Sequence, residues 1–377
     1  MLSLFFTGLS HFWRRHRRKI LLSAGFLGGG YLLYNTYNAH KRSLADLERN
    51  LARQREHEDL IKAQMQTHFE NIQRIADTTT LPHVIQYLSD RITEDLDLSD
   101  VTEKLRKGKL QPSTMTPLHK VELWDRLKIL SFTRMVVSLW ATTVLTLYIR
   151  VQVNVLGRHL YVDTARSLET SPVTEDLDLI DRNDEQKFLT SADFLASDGL
   201  PILISNMQAA VTECLKGKQL GDLFNTKMLC ETVTQILHVF MSTGSPHQWV
   251  DCVMPKDGKK QATASGSDAI LLGTTKFDQL MIEVRSVLLS WEFSRIMDTC
   301  LQLVVDEIGA EVTGGSLTRG IVLARLVPRV AQMGPSLFEE PSENRFMKMI
   351  QSAAEVELFF TLLYSNMPTS WTSSSEH

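Results

Sequence analysis

The chain has 377 residues, 43% of them hydrophobic and 22% charged, with a net charge of −4, which suits one large domain or two ordinary ones with a substantial core. Residues 1–42 contain seven Lys and Arg and no Asp or Glu, whereas the rest of the chain carries 33 basic and 44 acidic residues. A nucleic-acid-binding protein spreads Lys and Arg over a working face, so this confinement of basic charge to the N-terminus argues against that class.

The N-terminal segment sets a basic block directly before an uncharged apolar stretch. The block consists of Arg14, Arg15, Arg17, Arg18 and Lys19. The apolar stretch lacks the small-residue cleavage site of a signal peptide, and four glycines within residues 25–30 would make a poor helix in a soluble core. In a bilayer a helix is still favoured, because backbone groups without hydrogen bonds cost more free energy there than the low helix propensity of glycine does. We therefore predict an uncleaved transmembrane helix over residues 20–39.

A long, charged helix is predicted to follow, because apolar residues recur at helical spacing from Leu44 to Ile75. Ser43 is its expected N-cap, and Pro82 is expected to break it before a second helical pattern over residues 84–92. The sequence TEDLDL at residues 93–98 recurs at residues 174–179. Neither copy has the glycine and terminal Glu of an EF-hand loop, so both are interpreted as solvated acidic loops.

The strongest local signal lies at Thr116 and Pro117, which suit an N-cap and the first position of a helix that continues to about Val162. Within it, Met135–Ile149 is a run of fifteen uncharged residues. The run is short for a membrane span and is flanked by arginines, which favours a helix buried inside the body. The alternation VQVNV at residues 151–155 suits a strand as well as a helix.

The remaining sequence is predicted to be loop over residues 163–184, polar loop over residues 255–268, unpatterned tail over residues 367–377, and otherwise helical. We therefore expect an all-α fold in which the membrane anchor is followed by one large bundle of long helices, residues 43–366. The four cysteines form no CxxC pair, which indicates reduced, mostly buried thiols. The chain also lacks an Asn-x-Ser/Thr acceptor, so the body is expected to face the cytosol.

No motif for nucleotide, metal or nucleophilic chemistry is present, and the histidines do not pair with other ligands at metal-binding spacing. We therefore expect no cofactor, no metal and no enzyme, and favour a binding role. Lys120, Trp124, Leu127 and Ser131 share one stripe of the capped helix. Trp124 could anchor a partner helix in a groove, and a place in the core is the alternative.

Several segments resemble the peroxisomal biogenesis factor 3 (peroxin 3) family: HFENIQR at 68–74, VELWDRLKILSFTR at 121–134, RVQVNVLG at 150–157, YVD at 161–163 and FLASDGL at 194–200. VLARLVP at 322–328 is the best match in the second half. The resemblance implies a single-pass peroxisomal membrane protein with its bulk in the cytosol. It would dock peroxin 19, the chaperone of peroxisomal membrane proteins, whose amphipathic N-terminal helix enters a hydrophobic groove.

The family positions that line this groove fall on Lys120, Trp124, Leu127 and Arg325, the last a position where the family can carry Lys. Apart from peroxin 19, the resemblance implies contact with peroxisomal membrane lipids and none with nucleic acid. The basic block, residues 1–19, would carry the targeting signal. Lys and Arg near the span would by themselves place the N-terminus in the cytosol, whereas the family topology places the body there.

Two other functions share the same sequence features. A tether or trafficking adaptor on the endoplasmic reticulum or outer mitochondrial membrane would have the same anchor and helical body. A membrane-bound enzyme would need a convergent polar pocket in that body, which the sequence does not display.

Overall fold

The computed structural model describes residues 35, 37, 40–56, 59–60, 63–64, 66–110, 116–169, 182–245, 247–255, 275–315, 320–340 and 343–365. The basic block, the polar loop after residue 255, the tail and the predicted anchor, except for its helical positions 35 and 37, lie outside the described residues. The copy of TEDLDL at residues 174–179 also lies outside them. The chain divides into two units between Thr67 and His68.

In the first unit, residues 40–56 form a helix whose side chains are mostly exposed. Because residues 40–42 are already helical, the predicted N-cap at Ser43 is wrong, and Ser43 lies inside the helix. Three of its leucines, Leu44, Leu47 and Leu51, are exposed at helical spacing.

The second unit is built from helices: α1 (Leu81–Asp95), α2 (Ser99–Leu110), α3 (Pro117–Glu169), α4 (Arg182–Thr190), α5 (Leu200–Leu215), α6 (Thr226–Ser242), α7 (Val250–Val253), α8 (Lys276–Leu288), α9 (Trp291–Thr313), α10 (Leu323–Ser336), α11 (Arg345–Gln351) and α12 (Ala354–Ser365). Two short strands, β1 (Leu223–Phe224) and β2 (Ile321–Val322), pair antiparallel. The predicted all-α class is confirmed.

The chain remains helical through the segment around Pro82. Residues 68–75 are helical and run into a π-helical turn, Ala76–Thr80, which leads directly into α1. The Leu81 N–H donates to the Ala76 carbonyl, a wider turn than that of an α-helix. Because this turn makes room for the proline ring in the first turn of α1, the predicted break is wrong.

Helix α3 begins as predicted. The Thr116 Oγ1 accepts a hydrogen bond from the His119 N–H at 3.3 Å, and the Thr116 carbonyl accepts from the Lys120 N–H at 3.1 Å. The helix has 53 residues, a length of about 80 Å. It continues to Glu169, beyond the predicted end, through residues such as Ala and Leu that favour helix. The loop predicted for residues 163–184 is therefore wrong at both ends, because residues 163–169 and 182–184 are helical. Residues 151–155 are also helical.

The apolar middle of α3 forms the centre of the core. Every residue of Met135–Ile149 is buried, as predicted. Among the described residues, α3 is the one helix long and apolar enough to cross a membrane, and its most apolar window is wholly buried inside the protein. Helices α1, α2, α5 and α8–α12 all pack against it. The Trp140 ring meets Phe240 and Trp249 edge-on, with centroids 5.3 and 6.1 Å apart.

Polar side chains on α3 tie it to particular neighbours. Arg150 donates to both carboxylate oxygens of Asp77, at 2.9 and 3.3 Å, and Gln351 donates to the same carboxylate at 2.8 Å. Arg158 pairs with Glu283 on α8 and donates to the Leu363 carbonyl on α12 at 3.1 Å. These contacts fix the rotation and height of α3 within the bundle.

The prediction of reduced thiols is confirmed. All four cysteines are free, and Cys214, Cys252 and Cys300 are buried. Burial raises the pKa of the Cys300 thiol to about 12, which keeps it protonated and unreactive at neutral pH.

A first prediction concerns Gly199, the last residue of the π-helical turn Leu195–Gly199. A Cβ at this position would overlap the Cys252 carbonyl oxygen, whereas Gly221 faces open space. We expect Gly199→Ala to lower the free energy of unfolding by about 1–3 kcal/mol, because backbone must shift. We expect Gly221→Ala to change it by less than about 0.5 kcal/mol. Denaturant titration of the two variants measures the difference, and equal midpoints would contradict the packing described.

A second prediction concerns the pair of Arg150 and Asp77. Arg150→Met should cost about 2–3 kcal/mol of stability, because it leaves the Asp77 carboxylate largely buried without its cation. The double variant Arg150→Met/Asp77→Leu should recover at least half of that loss. Arg91→Met is the control, since its pairs with Glu94 and Asp95 lie within one stretch of α1 near the surface and contribute less than about 1 kcal/mol. A double variant less stable than Arg150→Met would refute this account.

Candidate partner-binding site

The first turns of α3 extend beyond the core of the second unit. Residues 116–122 are all exposed, whereas every residue from Met135 to Ile149 is buried. Leu118 is 78% exposed and Val121 55% exposed, and Leu110 at the end of α2 is 75% exposed. Large apolar side chains grouped on a surface in this way are typical of a protein interaction site.

The predicted stripe passes from solvent into the core over this part of α3. Lys120 is exposed, Trp124 is half-buried against the core, Leu127 is 5% exposed and Ser131 is fully buried. Trp124 therefore combines the two alternatives, a core residue and an interface residue. Part of its ring packs inward on the core, and part remains open to solvent. Leu127, three residues further on, belongs to the core cluster against which Trp124 packs.

Val121 and Leu118 precede Trp124 by three and six residues. They form one slanting apolar ridge with the tryptophan, because residues three apart are neighbours on a helix surface. This ridge was not predicted from the sequence. The spacing of three was the available signal, but nothing in the sequence showed that both side chains point to solvent.

Arg325 is exposed in the first turn of α10. Loop 216–222 links this turn to α3. Its Leu220 carbonyl accepts from the Ala324 N–H at 3.0 Å, and its Lys218 carbonyl accepts from the Lys128 ammonium at 2.8 Å. The structure thus brings Arg325 to the loop that is held one helical turn from Trp124.

Lys120 and Arg325 are exposed cations, and they differ from Lys128 in having no ion pair among the described residues. Lys128 is buried, and its ammonium also lies 3.1 Å from the Asp125 carboxylate. Neither Lys120 nor Arg325 has an ion-pair partner in the part of the chain that the structure describes. Neither charge is therefore neutralised by an ion pair there. Lys120 lies on the same turns of α3 as the apolar ridge, and Arg325 is exposed at the start of α10. Such an arrangement suits a helix with one apolar face and acidic residues along its edge.

The surface contains no catalytic constellation that we can identify. Within the described ranges, no group of three or more His, Cys, Asp and Glu side chains could hold a metal ion. What the surface offers is apolar area, a tryptophan and exposed cations that include Lys120 and Arg325, which are means of binding.

The sequence profile of the Peroxin-3 family matches residues 11–118 and 110–366. The chain is 55% identical over 362 residues to "Peroxisome biogenesis protein 3-2" of Arabidopsis thaliana, which covers 95% of this chain and 98% of that protein. It is 56% identical over 357 residues to "Peroxisome biogenesis protein 3-1" of the same plant, with 94% and 98% covered. Identity to the "Peroxisomal biogenesis factor 3" of Homo sapiens is 28% over 303 residues, with 77% and 74% covered.

The two lysines on this part of α3 give a third prediction. Lys128→Met should lower the free energy of unfolding by about 1–3 kcal/mol, because it leaves the Lys218 carbonyl without its donor and releases loop 216–222 from α3. Lys120→Met should change stability by less than about 0.5 kcal/mol, because its side chain is exposed and makes no ion pair among the described residues. Thermal and denaturant unfolding of both variants provide the measurement. Equal losses would show that Lys128 does not hold the loop.

Proposed function

The chain belongs to the peroxin-3 family, and from this premise we propose that it docks the chaperone peroxin 19 at the peroxisomal membrane. Family membership gives the chain a role in peroxisome biogenesis. The more specific docking role rests on the surface at the start of α3. In this role the protein is a receptor that releases cargo for membrane insertion, and it catalyses no reaction.

The half-buried Trp124 is the observation that carries the proposal. A tryptophan fixed by the core on one side and open on the other can bury its ring under a partner at little cost in side-chain entropy. Leu118 and Val121 extend the apolar area along the same ridge. An amphipathic helix of peroxin 19 laid on this ridge would bury its own apolar face there.

Charge would then set the register of the bound helix. Lys120 lies one turn before Trp124, and Arg325 lies on the neighbouring element. Acidic side chains at the edges of the incoming helix would pair with these two cations. Such rim pairs raise the association rate and orient the partner more than they add to affinity.

The membrane attachment is part of the proposal. We infer that residues 20–39 cross the peroxisomal membrane once, that residues 1–19 carry the targeting signal, and that residues 43–366 form the cytosolic docking domain. The basic block would act as a receptor-read address, since its charge alone favours the opposite orientation. Protease digestion of intact peroxisomes that contain the chain with an epitope tag at each end tests the orientation. Protection of the C-terminal tag would refute it.

A fourth prediction tests the docking role directly. Trp124→Ala should weaken peroxin 19 binding by about 2 kcal/mol or more, a factor of about 30, because the ring supplies the main apolar anchor. Titration of labelled peroxin 19 with the purified chain measures this change. The matched control is Trp291→Ala, since Trp291 is 66% exposed at the start of α9, with Arg295 over its ring.

Two outcomes would count against the assignment. Unchanged affinity in Trp124→Ala would remove the tryptophan from the interface. An equal loss in Trp291→Ala would show that the effect is not local to α3. The unfolding midpoint of each variant, measured beside the titration, separates lost contact from lost fold.

A further inference from the structure

A second groove, which we call the α6–α9 groove, follows the seam between those two helices. Two adjoining cavities of about 760 and 470 Å³ make it up, and they share Thr234, His238 and Gln302. The lining runs along α6 from Thr226 to Met241. At 1.5 Å per residue this is about 22 Å, the length of about four turns of helix.

The smaller cavity has an apolar floor to which both helices contribute, whereas the larger cavity is lined mainly by polar side chains together with Cys230. Leu237, Met297, Leu301 and Val305 are buried, and Met241 is half-buried at one end. Methionine side chains adapt their shape to different apolar partners, which suits a docking surface.

The two helices are locked together at the other end of the groove. The hydroxyls of Thr226 and Thr313 are 2.6 Å apart in a hydrogen bond, and a Cβ on Gly309 would overlap the Cys230 sulfur. The Thr234 hydroxyl donates across the seam to the Gln302 Oε1 at 3.4 Å. Because the floor is held in this way, the groove is a fixed feature of the bundle.

The rim of the groove is acidic. Three carboxylates, Glu231, Asp298 and Asp306, line it against one cation, Lys227, whose ammonium lies 3.8 Å from Glu231. Burial, and after it the negative charges of Asp306 and Glu231, raise the pKa of the Cys230 thiol beside this rim. Burial raises the pKa of the Asp298 carboxyl as well. Within the described ranges, neither Asp298 nor Asp306 forms an ion pair.

We propose that the α6–α9 groove docks a basic amphipathic helix from a second protein partner. The apolar face of that helix would lie on the floor, and its Lys and Arg would pair with Asp298, Asp306 and Glu231. The charge of this groove is opposite to that of Lys120 and Arg325, so a helix that suits one surface is repelled by the other. The inference stands independently of the function proposed for the start of α3.

The test uses the purified full chain in detergent micelles and an 18-residue fluorescent amphipathic helix of Leu and Lys. Fluorescence anisotropy follows the titration, and micelles without protein supply the blank. We expect saturable binding that falls at least tenfold in Asp298→Asn/Asp306→Asn. A Leu/Glu helix of the same length should show no saturable binding to the groove. Thr234→Trp, which fills the point where the cavities join, should also abolish saturable binding.

The matched control is Glu213→Gln/Glu357→Gln, which removes two exposed carboxylates that do not line the groove. Its affinity for the Leu/Lys helix should equal that of the unchanged chain, and so should that of Trp124→Ala. The proposal would be overturned if the control variant lost as much affinity for the Leu/Lys helix as the groove variants do. It would also be overturned if neither Asp298→Asn/Asp306→Asn nor Thr234→Trp lost affinity. Failure of Trp124→Ala to affect peroxin 19 would leave this result intact, so the two proposals fail separately.

Discussion

The structure depends on the need to cover a helix that is buried on every side. The middle of α3 carries no charged residue and exposes no face to water, so it requires neighbours all around it. Helices α1, α2, α5 and α8–α12 meet this need, and the core forms around one rod. The same constraint explains where binding surface appears. Where α3 continues past its neighbours, its side chains become exposed, and the surface that we propose for partner binding lies at that transition.

Apolar packing alone would allow such a rod to slide or rotate, and the buried polar groups prevent this. Arg150 meets Asp77, Gln152 donates to the Phe188 carbonyl at 2.9 Å, and Arg158 meets Glu283. Each contact uses a different neighbouring element, so a shift of one turn along α3 would break all of them together. Because a helix is stiff, these contacts in the second half of α3 also influence which side chains are exposed near Trp124.

Much of the fold could be predicted from local signals. The cap at Thr116, the buried run of α3 and the all-α class each depend on neighbours in sequence or on composition. Two wrong predictions about helix ends occur where the surrounding helix overrides a local signal. A π-helical turn accommodates Pro82, and residues 40–42 extend a helix past its expected cap at Ser43. At the site, the spacing placed Lys120, Trp124 and Leu127 on one stripe. The position of Arg325 depends on loop 216–222 and its hydrogen bonds to distant helices, and no local pattern encodes these.

Lys120 and Lys128 show why residue type does not assign function. Both lie on α3, eight residues apart, and either could have been chosen as a cation for a partner. The edge of the helix bundle lies between these two residues. Lys128 is therefore buried and donates to loop 216–222, whereas Lys120 is exposed to solvent. The two roles are linked, because the loop that Lys128 holds also carries the contacts to the start of α10. A buried lysine therefore holds the loop between α3 and the start of α10, the two elements that carry the exposed cations and Trp124. A surface fixed in this way before the proposed partner binds lowers the entropy cost of binding.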